Sequence, residues 1–219
     1  MLPRLIAGVI WEKRIMEWDC NCMVKCGTIS VPWRIEKRLT NKVITSGISG
    51  ERGGDIAGDI LMKLVEINTR NVWDIIKLKV SDCQSDFVAP NDYSIIEAYA
   101  TIASGYVALP FGLYDNERPV GFVMIGYGSI GDDDEPQIVN GNYCIWRFMI
   151  DQKYQGQGLG KKAMEAVLDY IGTAPCGQAE YCWLSYEPEN KTAQSLYHQF
   201  GFEETGEMDG NEIIAVRKL

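Results

Sequence analysis

The sequence predicts an α/β fold, and three observations predict it. An apolar strand-like run, Cys144 to Ile150, leads through a glycine-punctuated turn into a helix-like run, Leu159 to Ile171. Upstream, Tyr106 to Leu113 and Val120 to Tyr127 read as two strands joined at Asp115-Asn116-Glu117-Arg118-Pro119, a turn-forming composition. Downstream, another strand-like run, Tyr181 to Tyr186, is followed by a helix with apolar residues at Ala193, Leu196, Tyr197 and Phe200, which is i, i+3, i+4, i+7 spacing.

In chain order, Leu61 to Ile67 is the expected first strand. Thr69 is placed to cap a helix on which Val72, Ile75, Ile76 and Lys79 share a face, because a threonine oxygen can accept from the first free amides of a helix. Val88 to Asp92 reads as a turn, and a second helix carries Ile95, Ile96, Tyr99, Ile102 and Ala103 at helical spacing. The hairpin follows, with Gly121, Gly126 and Gly128 marking points of bulging or close backbone approach. Gly131 to Glu135 is an acidic loop. Tyr143 to Ile150 is the central strand, apolar on both faces except at Arg147, as expected of a strand covered on each side. The helix after the glycine turn shows Leu159, Ala163, Ala166, Val167, Tyr170 and Ile171 on one face and ends in Gly172 to Gly177. The next helix starts at Pro188-Glu189-Asn190 and stops at Gly201. Phe202 to Glu207 and Ile213 to Lys218 form a terminal hairpin around Asp209-Gly210.

Composition narrows the function classes. A hydrophobic fraction of 46% is that of a globular protein, and no run approaches the ~20 apolar residues of a membrane span. Met1 to Ile10 lacks a cleavable signal pattern, so the expected location is cytoplasmic. Seven cysteines, four of them scattered, do not read as a disulfide framework. Cys20, Cys22 and Cys26 cluster, but no second pair follows and the single histidine, His198, is remote, so no metal site is expected. Residues 1–61 carry nine Lys and Arg against seven Asp and Glu, and the remainder twelve against twenty-three. The acidic remainder, at −11 of the total −9, repels nucleic acid and attracts cationic small molecules.

Residues 1–60 do not read as a domain. Ser46 to Asp59 is glycine-rich, and the apolar grammar begins at Leu61. Met62 is therefore read as the natural start, with 1–60 a translated upstream leader; the alternative is a genuine flexible extension. The folded domain is expected over 61–219.

The turn Gln155-Gly156-Gln157-Gly158-Leu159-Gly160-Lys161 carries the functional signal. Glycines let backbone amides approach a ligand, and the following helix adds the positive end of its dipole, which together suit phosphate. A nucleotide-binding Walker loop needs glycine at 155 and Ser or Thr at 162, where Gln155 and Lys162 stand. A dinucleotide fingerprint needs glycine at 161, where Lys161 stands. The remaining pattern, Gln155-x-x-Gly158-x-Gly160 after a buried strand, resembles the acetyl-CoA pyrophosphate loop of the GNAT acetyltransferases. A second segment, Asn190-x-x-Ala193-x-x-Leu196-Tyr197 closed by Gly201-Phe202, resembles the same family.

The resemblance implies an α+β mixed sheet, the GNAT fold, splayed between its fourth and fifth strands with helices on both faces. Acetyl-CoA, as co-substrate, would lie in the splay. The backbone of Phe148, Met149 and Ile150 would hold the acetyl-pantetheine arm. Amides of Gln155, Gly156, Gln157, Gly158, Leu159, Gly160 and Lys161 would bind the pyrophosphate, and Asn190 would touch the cofactor arm while also suiting a helix N-cap. Tyr197 is the candidate general acid: thiolate expulsion needs a proton, and a phenol can supply it. A packed core tyrosine beside Leu196 is the plain alternative. His198 points about 100° away around the helix and reads as a surface residue. An alkylamine of pKa about 10.4 must lose a proton before attack, with Glu187 or Asp132, Asp133, Asp134 and Glu135 as candidate bases. Direct attack needs no protein nucleophile, so Cys144 and Cys182 read as core residues.

Asn142 to Asp151 and Val88 to Asn91 further resemble the bacterial diamine and polyamine branch of the family. The expected substrate is a small cationic amine of the spermidine or spermine kind. The rivals are an aminoglycoside-like amine, a protein N-terminal amine, or a non-catalytic acyl-CoA sensor. A homodimer is compatible with the chain; nucleic acid and membrane are not expected partners.

Overall fold

The structure is a computed structural model that describes residues 62–132 and 135–219. The expected leader over 1–60, together with Asp133 and Asp134, lies outside the described residues. Strands β1 (Met62–Glu66), β2 (Ala108–Asp115), β3 (Arg118–Tyr127), β4 (Tyr143–Ile150), β5 (Tyr181–Tyr186), β6 (Glu203–Asp209) and β7 (Glu212–Lys218) build one sheet in the order β1-β2-β3-β4-β5-β7-β6. Helices α1 (Val72–Ile75), α2 (Asn91–Ala103), α3 (Leu159–Gly172) and α4 (Lys191–Gln199) complete it.

Short hairpins require antiparallel neighbours, whereas a helical crossover returns the chain parallel. Both occur: β4 and β5 are parallel, with α3 between them in sequence, and all other neighbours are antiparallel. The sheet is mixed for that reason. The β2–β3 hairpin turns on Asn116 and Glu117, with Asn116 at φ 57, a left-handed conformation that asparagine tolerates better than most residues.

Strand β3 is buried from Val120 to Gly126. Its side chains alternate between two apolar clusters, as period-2 geometry demands. Val123 and Ile125 join Leu64, Tyr143 and Ile145 under α3, while Phe122 and Met124 join Ile75, Ala98 and Met149 under α1 and α2. Helix α3 buries Leu159, Ala163, Met164, Val167, Leu168 and Ile171, a stripe at helical period.

Two expectations are corrected. Thr69 does not cap α1, a single turn that begins after Asn71. The local polar groups are used otherwise: Asn71 Oδ1 accepts from the Asn68 amide at 2.8 Å, and Asn68 Oδ1 accepts from the Arg70 amide at 2.9 Å. On α2, Ile95 packs half-buried against the core, but the other large apolar residues expected there do not face it. Asn91, Ser94, Ala98 and Thr101 are buried, while Ile96, Tyr99 and Ile102 are 68%, 74% and 52% exposed. Both sets have helical spacing, so period alone did not choose between them. The small set wins because it lets α2 lie close to the sheet. Asn91 Nδ2 donates to the Ile75 carbonyl at 2.9 Å, and the Ser94 hydroxyl to the Pro90 carbonyl at 3.0 Å, so the buried polar atoms are satisfied.

Candidate active site

The site begins where the sheet comes apart. Strands β4 and β5 share only the register pairs Tyr143↔Cys182 and Cys144↔Trp183. Beyond them β4 stays paired with β3 to Ile150, and β5 with β7 to Tyr186. The β4 edge from Ile145 to Ile150 therefore faces a gap instead of a strand. Strand β4 also bulges there: Arg147 pairs with Met124 and Ile145 with Ile125, leaving Trp146 as the extra residue. A cleft of about 1190 Å³ fills the gap, and Phe148, Met149 and Ile150 line it.

At one end of the cleft stands the glycine turn. Gly156 and Gly158 take φ 73 and 75, a conformation that strains any side chain with a Cβ. Among the described residues, no backbone or side-chain acceptor is found for the amides from Gln155 to Lys161. The turn is fixed from outside. Gln155 Nε2 donates to the Ile150 carbonyl at 2.9 Å. The buried Asp151 carboxylate accepts from the Lys79 and Lys153 amides, both at 2.9 Å. Gln155, Gly156, Gly158, Gly160 and Lys161 line the cleft; Gln157 does not, since its side chain binds back to the Lys153 carbonyl at 3.1 Å, and the Leu159 side chain is buried in the core.

Helix α4 supplies the facing wall. Asn190 caps it, Oδ1 accepting from the Ala193 amide at 3.1 Å, and still lines the cleft. About two turns on, Tyr197 is packed between the rings of Tyr186 and Phe202, at centroid distances of 5.5 and 6.0 Å, with its hydroxyl free of any partner among the described residues. Burial pushes its phenol well above the usual tyrosine range, and the Glu212 carboxylate adds to the rise. The group stays protonated near neutrality and can donate. His198, the next residue, is half exposed and lies 3.4 Å from Glu204.

The thiols are of the opposite use. Burial pushes Cys182 up to about 12 and Cys144 well above its ordinary value. Neither is a thiolate at neutral pH, so neither is a nucleophile.

Both signs of charge line the cleft. Lys161 and Lys191 stand at the starts of α3 and α4, with the glycine turn, while Asp86, Glu97, Asp132, Glu135, Asp209 and Glu212 line it as well. Arg147 is the cation among them, and Glu97 of α2 neutralises it at 3.1 Å. Of the bases expected from the sequence, Asp132 and Glu135 line the cleft and Glu187 does not; Pro188 and the α4 cap turn the chain away at that point. Sequence reasoning missed Asp209 and Glu212. They reach the cleft only because β7 pairs with β5, a long-range event with no local signature. No cluster of metal-ligating side chains exists among the described residues.

A mixed sheet parted beside a turn of unpartnered amides defines a class, and comparison with known proteins agrees. Residues 72–202 match the acetyltransferase (GNAT) family. The chain belongs to this family and is an acetyl-CoA-dependent N-acetyltransferase. It is 33% identical over 161 residues to the spermine/spermidine N(1)-acetyltransferase of Bacillus subtilis strain 168, spanning 71% of this chain and 100% of that protein. Among solved structures, an aminoglycoside acetyltransferase in complex with coenzyme A shares the fold with a TM-score of 0.58 at 17% identity, over 72% of this chain and 94% of that one. An N-acetyltransferase from Thermoplasma acidophilum, also with coenzyme A, does so with a TM-score of 0.52 at 13% identity, over 72% and 99%.

Proposed function

We propose that this protein transfers the acetyl group of acetyl-CoA to a primary amine of a polyamine or diamine of the spermidine and spermine kind. One observation carries the reading: a single cleft is lined both by the turn of free amides with Lys161 and Lys191 and by six carboxylates. That arrangement suits a polyanionic donor meeting a polycationic acceptor. Similarity over the whole length of a spermine/spermidine acetyltransferase and 71% of this chain supports the same substrate class.

In this reading, amides of residues 155–161 and the start of α3 take the pyrophosphate, with Lys161 adding charge. The open edge of β4 at Phe148, Met149 and Ile150 receives the pantetheine arm as an added strand would be received. Asn190 contacts the arm while capping α4. Tyr197 gives its proton to the departing sulfur, a role its unpartnered, protonated hydroxyl fits. Catalysis is assigned to residues 61–219.

Thiol release from acetyl-CoA tests the reading, with spermidine, spermine, a diamine and an aminoglycoside as acceptors. Release on the polyamines at the highest kcat/KM is the expected result. The aminoglycoside arm tests the rival acceptor class, a hydroxylated amine. Preference for that acceptor would move the substrate class.

A further inference from the structure

Acetyl transfer to an ammonium needs a proton acceptor, and the cleft carboxylates are not equivalent. Glu97 is engaged by Arg147. Glu135 is engaged by the Ser129 hydroxyl and the Ile130 amide. Glu212 is different. It opens β7, lines the cleft, and is held by one neutral donor, the Ser185 hydroxyl on β5, which touches one carboxylate oxygen, Oε2. Ser185 lies beyond the last β4–β5 pair, on the wall of the gap facing the open stretch of β4. Glu212 is the carboxylate whose charge acts on the Tyr197 phenol.

Its neighbour across the hairpin points to what is bound. Asp209 and Glu212 are direct register partners, and both line the cleft. Like charges directly opposite on paired strands repel. Among the described residues neither is in a salt bridge with Lys or Arg. A cation seated between them removes the repulsion.

We propose that Asp209 and Glu212 receive the acceptor ammonium, and that Glu212 is the base that removes its proton. This rests on the acetyl-transfer reading above. Ser185 on β5 and Asp209 on β6 adjoin Glu212, and its charge acts on Cys144 of β4 and Tyr197 of α4. The ammonium gives one proton to Glu212, which passes it to water. The freed nitrogen lone pair forms the C–N bond to the thioester carbonyl carbon, and the C–S bond breaks with its electrons on sulfur. Tyr197 protonates that sulfur and is reprotonated by the second nitrogen proton. The sum is amide, thiol and one proton released. Ser185 is a positioning residue that aims the free Glu212 oxygen into the cleft.

The test is steady-state kinetics on Glu212→Gln, Asp209→Asn and Ser185→Ala, with acetyl-CoA affinity followed by calorimetry. Glu212→Gln keeps a partner for Ser185 and is expected to lower kcat about 10²-fold or more with donor affinity unchanged. The defect should shrink on acceptor amines of lower pKa, which need less help to lose the proton. Asp209→Asn should raise KM for the amine and leave kcat within a few-fold. Ser185→Ala should lower kcat less than Glu212→Gln, with Ser185→Thr restoring it. A Glu212→Gln enzyme with the wild-type kcat, or with a defect indifferent to acceptor pKa, overturns the assignment while the acetyl-transfer reading stands. A wild-type chain that acetylates no amine overturns both.

Discussion

At the scale of single residues, the separation between packing and chemistry is sharpest at Tyr197. Its ring is core, wedged between Tyr186 and Phe202, and its oxygen is the one part without a partner. Removing only that oxygen should leave the fold intact. Tyr197→Phe is expected to lower kcat by about 10²-fold or more, with acetyl-CoA binding by calorimetry retained. A chain that only senses acyl-CoA would show no turnover to lose. As a candidate, the same residue was legible from sequence because Asn190, Ala193, Leu196 and Tyr197 sit at fixed offsets along one segment. Glu212 was not. It is brought to Ser185 from 27 positions away by a strand pairing.

Among the elements, β4 and β5 were readable to the residue, Tyr143–Ile150 and Tyr181–Tyr186, because each is a bounded apolar run. The turn before α3 was readable because two left-handed positions, Gly156 and Gly158, ask for glycine. Helix α2 was located but turned the wrong way, since its buried stripe is made of small residues whose burial depends on the approaching sheet. Two substitutions separate the faces. Ser94→Leu places a large side chain where there is no exposed surface and removes the bond to Pro90, and should cost about 1–3 kcal/mol. Tyr99→Ala, on the outer face, should stay within about 0.5 kcal/mol. Urea midpoints of the two variants distinguish them.

Over the molecule as a whole, burial of weak acids sets the response to alkali. Cys182, Tyr170 and Tyr186 are pushed up to about 12, and Cys144 and Tyr197 are raised as well, in each case first by burial. In the unfolded chain cysteine ionises near ~8.5 and tyrosine near ~10. Between those values and about 12 the unfolded state holds fewer protons than the folded one, so stability falls as pH rises. It is fully present below ~8.5 and lost progressively above. Thermal melts from pH 7 to 11 should show a Tm that is level at first and then declines; a flat Tm to pH 11 would contradict the burial of these groups.

The parting of β4 from β5 after two residue pairs has one more consequence. On either side of the seam the strands pair over most of their length, so the halves β1 to β4 and β5 to β7 are each well knit, while only two residue pairs join β4 to β5. A thioester donor laid along the seam would supply the rungs that the polypeptide omits. Loaded and empty protein would then differ in rigidity across the whole barrierless joint, and the substrate would serve as the keystone of the architecture that consumes it.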